Sequence, residues 1–305
     1  MKPLRMETSI DKLKVCYIQP APLFNSLRDA FTCSDNNILD YSEFQLQLDH
    51  TELNPDNQVI KMVVSVHYYM DGASHRLGEF EFSASGKYKG LCFFTFDNKA
   101  LYTLFEYVEG SKYNVVGFII YVADQLGLEF NNVTMAEICM DTNKNLITAL
   151  RKYIKDYEGY DMFLNGNLVH DKDRKLENYG EYFSRSRHKI SRQPTLYLHQ
   201  KKQCGLGLKI YNKTNEIIEA SSSKDYIKDW LGYGNQTIYR AELTIRNTDF
   251  RDFCSLTGEE NGSLLLLLTS PEWRKKLWAY SVYRIIYFRS KKDGTEVELA
   301  DMLIT

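Results

Sequence analysis

No stretch of this sequence is apolar for long enough to cross a bilayer: the longest such runs, Val115 to Ala123 and Leu264 to Leu268, fall short of the roughly 20 residues a spanning helix needs. The first residues, Met1-Lys2-Pro3-Leu4-Arg5-Met6-Glu7, hold no apolar core of signal-peptide length, so a soluble, cytoplasmic protein with no membrane partner is expected. Cysteine is sparse and scattered. Cys16, Cys33, Cys92, Cys139, Cys204 and Cys254 include no Cys-x-x-Cys pair, which argues against a zinc ribbon or a dithiol redox motif. An excess of either charge is also lacking: 38 basic residues stand against 40 acidic ones, for a net charge of −2. That excludes coating nucleic acid by bulk charge but leaves room for a basic surface beside an acidic site. There is no Gly-x-x-x-x-Gly-Lys-Ser/Thr loop for nucleotide phosphates, and no two histidines lie one residue apart as a His-hydrophobic-His metal motif requires. Internal repeats and low-complexity segments are absent too.

What is present is a globular chain of 305 residues, 44% hydrophobic, long enough for one elaborate domain or two modest ones. Ser9 to Tyr17 alternates as a strand, and Pro22 to Phe31 follows as a short helix. Glu43–Leu48, Gln58–Met70, His75–Ala84 and Leu91–Phe96 read as further strands, separated by turn formers such as Asn54-Pro55-Asp56-Asn57 and Asp71-Gly72. Helices are expected over Lys99–Val108 and Tyr113–Leu128, then from about Lys144 to Tyr157, with Asp161–Asn178 as loop. Ser221–Leu231 reads as helix and Gln236–Arg246 as strand. Beyond Thr248 the pattern is helical, with Ser270-Pro271-Glu272 starting a segment that runs to about Phe288. The fold class is therefore α+β, a mainly antiparallel sheet with flanking helices and a helical C-terminal extension.

Three strands carry residues with chemistry. Thr195–His199 and Leu208–Lys213 form a hairpin whose second strand places Lys209, Tyr211 and Lys213 on one face and Leu208 and Ile210 on the other. A phenol between two ammonium groups suits bound phosphate; a half-exposed strand with two solvating lysines is the plainer alternative. Val133–Asp141 sets Glu137, Cys139 and Asp141 on one face of a strand that otherwise reads as core. Buried carboxylates need a cation or a basic partner, although Asp141 could equally cap the helix that follows. Thr237–Arg246 puts Arg240, Glu242 and Thr244 together. A tyrosine near carboxylates holding Mg²⁺ or Mn²⁺, with Lys213 and Arg240 to hold phosphate, is the equipment for cutting a DNA strand by transesterification. Arg185, Arg187, Lys189, Arg192, Lys201 and Lys202 cluster ahead of and within the hairpin, as a phosphate-backbone track or as solvated surface. The last helix bears Trp273, Trp278, Tyr280 and Tyr283, which suit packing better than DNA.

Ile210-Tyr211-Asn212-Lys213 followed by Glu216 resembles the strand bearing the nicking tyrosine in the replication initiation factors of small rolling-circle plasmids, the Rep_trans type. Some conjugative-element relaxases share that strand, and a non-catalytic DNA-binding protein, with the tyrosine and acids as sheet residues, is the other alternative. The preceding Thr195-x-Tyr197, the later Arg240-x-Glu242 and the strand ending in Asp141 reinforce the resemblance, which spans Ser9 to Arg246. It implies a nicking domain over 1–247 with 248–305 as an extension. It implies Tyr211 as nucleophile, Glu137, Asp141 and Glu242 as ligands of the divalent ion, Lys209 and Asn212 on the DNA side, and a homodimer. Without a P-loop, strand separation falls to a separate helicase. If the basic cluster tracks DNA, neutralising Arg185, Arg187 and Lys189 together will weaken binding and flatten the slope of log affinity against log salt by up to about three; an unchanged slope in a salt titration returns the cluster to solvated surface.

Overall fold

The computed structural model describes residues 8–70, 72–104, 114–174, 185–186, 189–190, 195–199, 206–219, 224–232, 234 and 236–304. In chain order the elements begin β1 (Thr8–Ile18), α1 (Leu23–Cys33), β2 (Ile38–Asp40), β3 (Phe44–Leu53), β4 (Val59–Met70), β5 (Ala73–Ser83) and β6 (Leu91–Phe96). There follow α2 (Asn98–Thr103), α3 (Val115–Gln125), β7 (Glu129–Thr142), α4 (Leu146–Lys155), β8 (Tyr160–Leu164), β9 (Asn167–Val169), β10 (Arg185–Ser186), β11 (Lys189–Ile190), β12 (Leu196–His199) and β13 (Gly207–Asn212). The chain closes with α5 (Lys213–Glu219), α6 (Asp225–Leu231), β14 (Tyr239–Arg246), α7 (Asn247–Thr257), α8 (Leu264–Leu267), α9 (Pro271–Ile285), β15 (Ile286–Ser290), β16 (Glu296–Glu298) and α10 (Leu299–Ile304). This is the α+β class expected, with antiparallel pairing among the described strands β1 and β6, β3 to β6, and β13 and β14. Among the described residues no helix is long and apolar enough to cross a membrane.

Two compact units interleave along the chain. One comprises Asp11–Ala136 and Cys254–Thr269; the other comprises Met1–Ile10, Glu137–Phe253 and Ser270–Thr305. In the first, the strand order is β7-β1-β6-β5-β4-β3-β2. Alternation decides its core: Met62, Val64 and Val66 of β4 are buried beside Phe80 and Phe82 of β5 and Phe94 and Phe96 of β6. The Phe80 and Phe94 rings lie 4.6 Å apart. Burying each such ring contributes roughly 2–3 kcal/mol before entropy is counted. Helix α3 lays Val116, Ile119 and Val122 inward, and Asn114 caps it by accepting the Gly117 N–H at 2.8 Å.

In the second unit the order is β12-β13-β14-β7, and a separate sheet runs β16-β15-β8-β9. That small sheet corrects two expectations. The stretch from Asp161 is a β-hairpin, because Asn165 and Gly166 both hold positive φ, 51° and 74°, the backbone of a two-residue turn that matches strand twist. The last long helix stops at Ile285, after which Ile286–Ser290 pairs with β8; successive β-branched and aromatic residues favour a strand once a partner is in place. Ser270 caps α9, and Trp273, Leu277, Trp278, Val282 and Ile285 are buried along it, so its tryptophans pack. The cap of α4 is Asn145, which accepts the Thr148 N–H at 3.0 Å, and not Asp141. The expected helix from Lys99 ends at Thr103; the remainder falls mostly on residues outside those described.

One glycine is required by its surroundings. Gly78 has φ of 152°, and a β-carbon there would overlap the Thr95 carbonyl oxygen and come within 2.6 Å of the Phe94 ring. Gly78→Ala is therefore expected to lower stability by about 2–3 kcal/mol, read as a fall in the urea midpoint; an unchanged midpoint rejects the tight approach of β5 to β6.

Candidate active site

β13 ends where the chain turns from strand to helix, and this turn builds the site. Antiparallel pairing sets Tyr211 opposite Arg240 and Lys209 opposite Glu242, while Ile210 faces Ala241 and Leu208 faces Leu243. The apolar residues lie on the core side; the polar ones share the other face, as alternation predicts. Lys213 is not part of the strand. It opens α5, because Asn212 caps the helix by accepting the Asn215 N–H at 3.0 Å. Asn212, expected on the DNA side, is thus a buried cap.

The side chains converge. The Tyr211 hydroxyl donates to Glu242 Oε2 at 2.7 Å, and Lys213 Nζ donates to the Tyr211 oxygen at 3.4 Å. Lys209 Nζ sits 3.4 Å from Glu242 Oε1 and 4.2 Å from the centre of the Tyr211 ring. Behind them Arg240 forms a two-pronged pair with Asp141, Nε to Oδ1 at 2.8 Å and Nη2 to Oδ2 at 2.7 Å, with both side chains wholly buried. Tyr211 is only 5% exposed, which sets aside a half-exposed strand with solvating lysines.

Burial pushes the Tyr211 phenol well above its ordinary range; the Arg240 guanidinium pulls it back, and Glu242, Cys139 and Glu216 add to the rise. The phenol is therefore protonated at neutral pH, with a carboxylate placed to take the proton. For Lys209 burial favours the neutral amine, but Glu242, Tyr197 and Glu216 outweigh it and hold the ammonium above its usual range.

Glu137 and Glu242 belong to a group of acidic side chains whose oxygens lie within 4.8 Å of one another. Carboxylate oxygens alone suit a hard cation such as Mg²⁺ or Mn²⁺, which accepts one or two carboxylates and fills its remaining positions with water and phosphate oxygens. The donor set fits the expected ion. Asp141 was expected as a third ligand, but both its oxygens take guanidinium N–H groups. Arg240 was expected to hold phosphate, yet its guanidinium is sealed from solvent and reaches Tyr211 through its field.

Of the basic cluster, Arg185 and Lys189 lie in the paired strands β10 and β11; Arg187, Arg192, Lys201 and Lys202 lie outside the described residues. Glu216 and Lys224 had no assigned role in the sequence. Glu216, named in the sequence only as part of the motif that carries the resemblance, contacts Lys213 Nζ at 2.6 Å and Lys224 Nζ at 2.7 Å; its spacing of three from Lys213 in the first turn of a helix was a further signal.

No protein-family model matches the chain, and no curated protein matches it. Among solved structures it is similar to that of the rolling circle replication initiator protein from Geobacillus stearothermophilus, at 12% identity, with 95% of this chain and 89% of that chain covered and a TM-score of 0.43.

Removing one member of the buried pair leaves the other charge without its main partner. Arg240→Met is expected to cost about 3–5 kcal/mol in a denaturant titration, and the double variant Asp141→Leu/Arg240→Met to recover most of it; additive losses would show that the pair does not act as a unit.

Proposed function

We propose that the protein nicks one strand of DNA by tyrosine transesterification to start rolling-circle replication. The observation that carries this reading is the Tyr211 hydroxyl, held at 2.7 Å from Glu242 and 3.4 Å from the Lys213 ammonium. A buried phenol with an acceptor for its proton and a cation beside its oxygen is arranged to become a nucleophile. A merely structural tyrosine needs no such company.

In the proposed reaction Glu242 Oε2 takes the phenolic proton as the Tyr211 oxygen attacks phosphorus. The bond from phosphorus to the 3′ oxygen breaks, that oxygen leaves and gains a proton to become a free 3′-hydroxyl primer, and the 5′ phosphate stays on Tyr211 as a phosphotyrosine. Lys213 and the field of Arg240 stabilise the negative charge that develops on the phenol oxygen. Lys209, above the ring and part-exposed, is placed to meet the approaching phosphate. Asp141 acts one step back by holding Arg240. A divalent ion held by Glu137 and Glu242 would polarise the non-bridging phosphate oxygens. The reaction is reversible because the bond energy is kept in the phosphotyrosine, so the strand can be rejoined. The same chemistry would serve a relaxase at a transfer origin. With no P-loop in the chain, strand separation is assigned to a helicase partner, and a homodimer is the assembly that the sequence resemblance implies.

The test uses a supercoiled plasmid bearing the DNA that flanks the gene, incubated with the full chain and Mg²⁺ or Mn²⁺. Open circles with protein covalently attached at Tyr211 are expected. Tyr211→Phe should lose nicking by at least about a thousandfold while keeping DNA affinity within about twofold; nicking undiminished in that variant rejects the reading. Glu242→Gln is expected to lose nicking to a similar degree, and chelation should abolish it until Mg²⁺ or Mn²⁺ is restored. Activity that survives chelation would remove the metal from the mechanism.

A further inference from the structure

Lys213 is buried completely, side chain and all, and a buried ammonium persists as a charge only against a carboxylate. Its backbone is already fixed. The Lys213 and Thr214 N–H groups donate to the Ile238 carbonyl at 2.8 and 3.3 Å, and the Ile238 N–H donates back to Thr214 Oγ1 at 2.8 Å. The freedom left to Lys213 lies in its four-carbon stem, whose rotamers spread the ammonium over several ångströms. Glu216, one helical turn on, restricts that freedom: it holds Nζ at 2.6 Å, and Lys224 holds the other oxygen of the same carboxylate at 2.7 Å.

We propose that Glu216 is a positioning residue, which holds the Lys213 ammonium against the Tyr211 hydroxyl while Lys224 anchors the carboxylate from its far side. The role rests on the reading of Tyr211 as nucleophile. Two ammonium groups and one carboxylate leave one net positive charge, delivered where the phenol oxygen must become negative. Burial alone would raise the Glu216 carboxyl, but Lys213 and Lys224 bring it down to about 2, so it stays ionised at any working pH.

The sign of the effect separates position from charge. By charge alone, a carboxylate close to a phenol opposes the loss of the phenol's proton. Were charge all that mattered, Glu216→Gln would speed nicking; loss of the anchor on Lys213 slows it. On the supercoiled plasmid with Mg²⁺, Glu216→Gln is expected to lower the single-turnover nicking rate roughly ten- to a hundredfold, with DNA affinity within about twofold. Lys213→Met should lose at least as much, and the double variant should be no slower than Lys213→Met alone, because the two act as one unit. A rate for Glu216→Gln equal to or above that of the parent overturns the proposal, as do losses that multiply in the double variant.

A second readout does not depend on activity. In a ¹H–¹⁵N spectrum of lysine ammonium groups, a slowly exchanging Lys213 signal, identified by its loss in Lys213→Met, should be present in the parent and in Tyr211→Phe and absent in Glu216→Gln. Persistence of that signal in Glu216→Gln overturns the positioning role whatever the nicking result. Tyr211→Phe that nicks normally overturns the nucleophile reading instead.

Discussion

The buried pair between Asp141 and Arg240 is the constraint on which the site depends. Two charges withdrawn completely from water lose much of their hydration, and their mutual attraction roughly offsets that loss only when both hydrogen bonds are well made. Such a pair adds little net stability; it selects one arrangement. With the guanidinium held on the polar face of β14, the period of two puts Glu242 on that face as well, and the opposing strand must bring Tyr211 and Lys209 to meet it. A slip of one residue would send both glutamate and tyrosine to the apolar side.

Around Tyr211 the charges are nearly balanced, and the balance is uneven in space. Lys213 approaches the hydroxyl, Lys209 lies over the ring, and Arg240 stands behind; Glu242 accepts the hydroxyl's hydrogen bond, and Glu216 stands one lysine away. In water these charges would largely be screened. In a face where the phenol is almost wholly covered they are screened less than in water, and burial dominates the phenol's proton affinity. The site therefore holds a protonated phenol against a carboxylate that accepts its hydrogen bond.

The strand patterns were largely legible because a half-buried strand writes its faces into alternate residues. β4, β6 and β14 follow that rule, and the turn formers between them mark the breaks. Where the structure departs, partners in space decided. Ile286–Ser290 continues an apolar pattern that a helix could also carry, and becomes a strand because β8 lies alongside. Asn165-Gly166 is a hairpin signal visible in the chain, but flanking strands of five and three residues are too short to show a period. Lys213 looked like one more alternating strand residue until Asn212 capped a helix in front of it.

The sequence by itself determined which residues share a face. Local geometry fixes side-chain direction in a strand, so Lys209 with Tyr211, Arg240 with Glu242, and Glu137 with Asp141 were grouped before any fold was known. Tertiary structure decided which carboxylate meets which cation. Asp141 was equally a cap, a ligand or a partner by sequence, and became the partner of Arg240 because pairing β7 with β14 buried both. Glu242 became the partner of Tyr211 by the register of β13 on β14, and Glu216 the partner of Lys213 by a helix that starts one residue after the tyrosine's strand ends. Contacts of this kind join residues up to 99 positions apart, and no local rule reaches that far; only the pairing of strands supplies the distance.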